Sequence, residues 1–168
     1  MKLSDLFEKL ARVPSKDKPN PKMYALQVVR QILGDKAQTD ADEYKQGQIL
    51  ISRSWVGSPI FSTMDEDPGA GGAIGLTKLY GNSPEDIAIA AHEAFHALLH
   101  LKKKNSNNEH LVNKLASRWL QDHFSGMFLH SALETINKSK ISYKRKTYPS
   151  SKQFIADYFK TNKDTPSN

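Results

Sequence analysis

A chain of 168 residues has room for one domain and a short appendage, and its 24 Lys+Arg against 18 Asp+Glu leave a net charge of +6. With 38% hydrophobic and 25% charged residues the composition is that of a folded protein, and the longest apolar run, Ile87 to Ala91, falls far short of the ~20 residues a bilayer needs. The absence of cysteine excludes disulfide scaffolds, thiolate zinc fingers and cysteine nucleophiles together, so any metal must be held by His, Asp or Glu.

In chain order, Leu3, Leu6, Phe7 and Leu10 recur at helical spacing and stop before Pro14. Asp5 and Glu8 interrupt these leucines, so the segment is no secretory apolar core and a cytoplasmic location is expected. A connector rich in Lys, Pro and Asn leads to a second amphipathic helix carrying Tyr24, Ala25, Val28, Val29 and Ile32, ended by Gly34. Three short strands are expected next: Gln48 to Val56, Ile60 to Met64 and Ile74 to Tyr80. Three strands in succession suggest an antiparallel meander. The glycines between the last two (Gly69, Gly71, Gly72, Gly75) lack the Gly-Lys-Ser/Thr ending of a phosphate loop and read as a hairpin connection or the rim of a groove.

Helix signals strengthen from Ser83. Ser83 serves as N-cap, Pro84 suits the first helical position, and Asp86 completes a capping-box-like pattern. This helix is expected to run to about Leu101, before Lys102, Lys103 and Lys104. Another starts near Asn108 with the stripe Leu111, Val112, Leu115 and Trp119, and Gly126 should end or kink it. Met127 to Ile136 forms a shorter helix. A folded domain over 1–137 is then followed by a basic extension, 138–168, partly disordered. There Lys138, Lys140, Lys144, Arg145 and Lys146 are interleaved with Tyr143 and Tyr148, and Phe154 to Phe159 form a last weak helix. The simpler reading of that extension is a solvated surface; the sharper one is a grip on nucleic acid or an acidic partner.

The chemistry concentrates at His92-Glu93-Ala94-Phe95-His96. Residues four apart stack on one helical face, so two imidazoles so placed can converge on one zinc ion. Glu93 lies ~100° around the axis, outside the coordination shell but within reach of a zinc-bound water. His100 continues the series but sits ~12 Å along the helix from His92, too far to share the ion. A third ligand must come from the following helix, where Glu109 and His110 are the candidates; adjacent helical residues point ~100° apart, so one of them faces the metal. Glu109 is favoured, with His110 the alternative, because Glu109, Asn113 and Ala116 share a face. Asn113 can then accept a hydrogen bond from the distal N–H of a ligand histidine, and Ala116 permits close helix packing.

The run His92-Glu-Ala-Phe-His96-Ala-Leu-Leu-His100, followed by Glu109-His-Leu-Val-Asn113-Lys-Leu-Ala116, resembles the ImmA/IrrE family of zinc metallopeptidases. That family reads HExxH with an apolar continuation, often a further His, and then a helix E-x-x-x-N-x-[FL]-A. About thirty residues carry the match, which departs from the family at Val112 and in lacking a recognisable helix-turn-helix partner domain. The resemblance implies His92, His96 and Glu109 as zinc ligands and Glu93 as catalytic base. It implies an α+β, zincin-like metallopeptidase domain with a short antiparallel sheet packed against the HExxH helix. The expected function is an intracellular zinc endopeptidase acting on a protein substrate, a regulator or repressor in a phage, mobile element or stress response. Two alternatives stand beside it: a catalytically silent, metal-stabilised protein-binding module, and a DNA-associated Spartan-like peptidase, whose Gly-His-Gly neighbourhood is missing here. An extended substrate can pair with an edge strand, for which Ile74 to Tyr80 is the candidate. His110, His123 and Tyr80 are candidates for stabilising the oxyanion.

Overall fold

The computed structural model describes residues 19–39, 44–53, 60–63, 68–104 and 106–138. Within them the chain is α+β, with four helices and a mixed sheet of four short strands. The order is α1 (Ala25–Leu33), β1 (Ala37–Gln38), β2 (Ile49–Arg53), β3 (Ile60–Thr63), β4 (Gly72–Leu76), α2 (Pro84–Leu101), α3 (Glu109–His123) and α4 (Gly126–Asn137). The expected helix at Leu3 to Leu10, the Trp55 end of the first strand and the extension beyond Lys138 lie outside the described residues.

Helix α1 buries Leu26, Val28, Val29 and Leu33 and leaves Gln27, Arg30 and Gln31 in water. Its first free N–H groups are met from across the fold: Ala25 donates to the Gly81 carbonyl and Leu26 to the Leu79 carbonyl, both at 2.9 Å. The loop after β4 therefore caps α1 and seats it beside the start of α2. There the Asp86 N–H donates to Ser83 Oγ at 3.1 Å and the Ser83 N–H returns to Asp86 Oδ2.

Helix α2 is the axle of the molecule, touching α1, α3, α4, β3 and β4. It is buried nearly all round, and Ala88, Ala90, Ala91, Ala94 and Ala97 let these neighbours approach it closely. Asn108 caps α3 by accepting from the Leu111 N–H at 3.1 Å, and α3 buries Val112, Leu115, Ala116, Trp119 and Leu120. The expected end or kink of α3 at Gly126 is corrected: α3 stops at His123, and Gly126, at φ 63°, opens α4.

The sheet corrects the expected antiparallel meander. Its order is β1-β2-β4-β3, with β1–β2 and β2–β4 parallel and β3–β4 alone antiparallel. Residues Ile49, Leu50, Ile51 and Ser52 are buried in succession, the pattern of a strand covered on both faces, as parallel strands are. β3 then lies outside β4 instead of between β2 and β4. Of the glycine cluster, Gly69 and Gly71 lie in the connection of the antiparallel β3–β4 pair, as the hairpin reading expects, whereas Gly72 and Gly75 lie within β4, which starts earlier and ends sooner than Ile74 to Tyr80. A Cβ at Gly72 would strike the Ser62 carbonyl oxygen, and one at Gly71, where φ is 80°, the Gln48 carbonyl and the Tyr44 hydroxyl. These two positions let β4 lie close to both of its neighbours. Among the described residues no helix is long and apolar enough to cross a membrane.

Candidate metal centre

In mid-α2 the sequence places His92, Glu93 and His96 in the interior, where they are 1%, 2% and 8% exposed. Burying three ionisable side chains costs free energy unless their polar atoms are used. The helical spacing of four brings the two imidazoles together, with His92 Nε2 3.1 Å from His96 Nε2. Glu109, the first residue of α3, closes the group: its Oε1 is 3.0 Å from His96 Nε2 and its Oε2 3.3 Å from His92 Nε2.

The protons on these rings can be placed. The His96 Nδ1–H donates to the main-chain carbonyl of Ser106, in the turn between α2 and α3. A carbonyl only accepts, so His96 carries a proton on Nδ1. Asn113, one turn along α3 from Glu109, acts on the His92 ring in the sense that favours a proton there. Burial first, and the neighbouring His96 second, nevertheless push the His92 pKa from 6.5 down to about 3, with Asn113 opposing them in part. His92 is thus a neutral imidazole across the ordinary pH range.

The two imidazoles and the Glu109 carboxyl group thus bring their polar atoms close together. The 3.1 Å between the two histidine nitrogens approaches the ~3.3 Å edge of a tetrahedron whose donors stand ~2.0–2.1 Å from its centre, and one oxygen of Glu109 lies near each nitrogen. Glu109 Oε2 and Glu93 Oε1 are buried without a hydrogen-bond partner among the described residues. The His92–His96–Glu109 group could hold a metal ion.

Glu93 stands beside this group, not in it. Its Oε2 accepts the backbone N–H of Phe61, in β3, at 2.7 Å. Burial pushes its pKa from 4.5 up to about 8; the Phe61 N–H pulls the other way, and the Glu109 charge adds to the rise. The result is a carboxyl group that exchanges its proton near neutral pH, one oxygen anchored and the other uncommitted.

The remaining candidates are spread elsewhere. His110 is exposed on the first turn of α3 and does not join the group, which takes Glu109. His100 is buried in the last turn of α2 with its ring 5.6 Å from that of Phe61. His123 stacks on Trp119 at 4.1 Å, its Nδ1 2.7 Å from the Trp119 carbonyl. Tyr80 is 65% exposed and meets Tyr24 edge-on at 6.0 Å. The docking strand is also corrected. β4 is paired on both sides, by β2 and β3, so it has no open edge, whereas among the described residues β3 ends the sheet and turns the Phe61 N–H toward Glu93.

Two main-chain groups at the centre, the Ser106 carbonyl and the Phe61 N–H, went unforeseen because every residue type carries them. The one available signal was the shortness of the turn between His96 and Glu109, which forces that turn's backbone past the site. Comparison of the chain with protein-family models, curated proteins and solved structures gives no significant match, so its own residues and geometry carry the functional reading.

Proposed function

We propose that this chain is a zinc-dependent endopeptidase that hydrolyses a peptide bond in a protein substrate, a regulator or repressor of the kind the ImmA/IrrE resemblance implies. One observation carries the reading: a buried carboxyl group stands next to a three-donor metal group without belonging to it. A protein that used the metal only to hold its shape, or only to capture a partner, would bear the cost of burying Glu93 for nothing.

His92, His96 and Glu109 would hold the ion. Bound there, zinc lowers the pKa of a water toward ~7 and polarises a carbonyl oxygen. Glu93 does the proton work. Its Oε1 accepts a proton from the attacking water and delivers it to the leaving amine; in the ligand-free chain the Phe61 N–H holds the other oxygen, Oε2. The Ser106 carbonyl takes the His96 Nδ1–H, which leaves Nε2 to face the ion, and Asn113 would do the same service for His92. The Glu109 side chain is 40% exposed, which leaves the group open to solvent and substrate on the α3 side. Among the described residues β3 is the edge strand beside the group, along which an extended polypeptide can lie.

The test separates holding from cutting. Glu93→Gln should retain zinc, measured by elemental analysis, and lose chelator-sensitive cleavage of a protein substrate; His92→Ala should lose both. Cleavage by Glu93→Gln at the wild-type rate would remove Glu93 from the reaction.

A further inference from the structure

Strand β3 has two edges. In an antiparallel ladder successive residues turn their N–H and C=O alternately toward and away from the partner strand. Phe61 stands opposite Ile74 of β4, yet its N–H is bonded to Glu93, so Phe61 faces outward, and Thr63, two residues on, does the same. Ile60 and Ser62 then face β4. The outer edge thus offers two donors over the length of β3, and Glu93 occupies one of them.

The carboxylate sits where a ligand's backbone belongs. Its Oε2 is 2.7 Å from the Phe61 nitrogen, the distance at which a ladder carbonyl would stand. A carbonyl oxygen and a carboxylate oxygen repel each other across one N–H, so a strand cannot take its place there while Glu93 remains.

We infer that the Phe61 N–H serves two acceptors in turn: it parks Glu93 in the ligand-free chain, and an extended polypeptide docking on β3 displaces the carboxylate from it. This rests on the peptidase reading above and adds to it a form of control. The base leaves its parking place when, and only when, a chain lies along the strand, and until then Glu93 covers an edge that would otherwise invite pairing with other strands. Phe61 acts here as a positioning residue, through its main chain.

The experiment uses the full, zinc-loaded chain and a capped hexapeptide of alternating threonine and valine as the extended probe. Glu93→Gln keeps an acceptor on Phe61 and Glu93→Ala removes it; Glu93→Ser, too short to reach, stands in should Glu93→Ala fail to fold. Without peptide, amide exchange at Phe61 should be slow in the wild type and in Glu93→Gln and fast in Glu93→Ala, while Ser62 stays slow in all three. The peptide should bind Glu93→Ala roughly ten- to hundred-fold more tightly than Glu93→Gln, the worth of one buried hydrogen bond to be broken first, and should restore protection at Phe61. An analogue N-methylated at alternate residues should bind neither. Equal affinities, with the Phe61 amide still held by the introduced glutamine side chain in the Glu93→Gln complex, overturn the competition and leave strand docking standing. Failure of the peptide to bind Glu93→Ala while its Phe61 amide exchanges freely overturns docking on β3 itself.

Discussion

Replacing Glu93 by Gln should make the metal-free protein more stable, by an amount that grows with pH. The Glu93 carboxyl has its pKa raised from 4.5 to about 8 and is 2% exposed. Between those values the unfolded chain has released the proton and the folded chain still holds it. The unfolded state then binds fewer protons, so each unit of rising pH removes ~1.4 kcal/mol of stability. At pH 7 the accumulated loss is ~3 kcal/mol, a large share of the ~5–15 kcal/mol that holds a domain together. Glutamine has no proton to lose and still offers Phe61 an acceptor. His92, held down from 6.5 to about 3, acts in the opposite sense, costing stability as the pH falls below 6.5; being present in both proteins, it cancels in the difference. Urea unfolding in the presence of a chelator, followed by fluorescence of the buried Trp119, gives the two stabilities. The advantage of Glu93→Gln should be under ~1 kcal/mol near pH 5 and exceed it by ~3 kcal/mol near pH 7.5. An advantage that does not change with pH would refute the claim that burial keeps this carboxyl protonated.

Three further outcomes follow from the geometry. Asn113→Ala should weaken zinc binding ~10–100-fold, Glu109→Ala should weaken it by more than that, and His110→Ala should leave it unchanged, read by competition with a chromophoric chelator. Zinc at a hundred times its dissociation constant should raise the unfolding free energy of the wild type by ~2.7 kcal/mol and leave His92→Ala unmoved, measured by thermal or urea denaturation. Gly72→Ala, which drives a methyl group into the Ser62 carbonyl, should cost ~1–3 kcal/mol and displace β3, seen as altered amide shifts at Phe61 to Thr63.

What could be read from the sequence was what short-range spacing dictates. Ser83, Pro84 and Asp86 mark the start of α2, Asn108 marks the start of α3, and the four-residue interval between His92 and His96 puts both rings on one face, because each rule acts within a turn or two of helix. The choice of Glu109 over His110 rested on the same angular argument, and the structure gathers Glu109 with the two histidines. The sheet escaped for the opposite reason. Strand order is settled by contacts between distant segments, and β3, adjacent to β4 in sequence, gives no local sign of whether β2 lies beside it or beyond β4. The successive burial of Ile49, Leu50 and Ile51 was the available hint, and an expectation of alternation passed over it. β1, two residues long, is below the length at which any pattern can register. Gly126 misled because glycine both ends helices and permits the left-handed turn into the next one.

Helix α2 interleaves two kinds of position, and the consequence is a divided tolerance to substitution. The alanines at 88, 90, 91, 94 and 97 are each fully covered, so any larger side chain there must push a neighbouring element aside. His92, Glu93 and His96 are covered too, but what they lose on burial is hydration, and apolar replacements of similar size relieve that loss. Variants scored by cellular abundance should therefore fail at the alanines and survive at the polar trio, and variants scored by biological effect should fail at both. A single helix would then separate, residue by residue, what the chain requires to exist from what it requires to act.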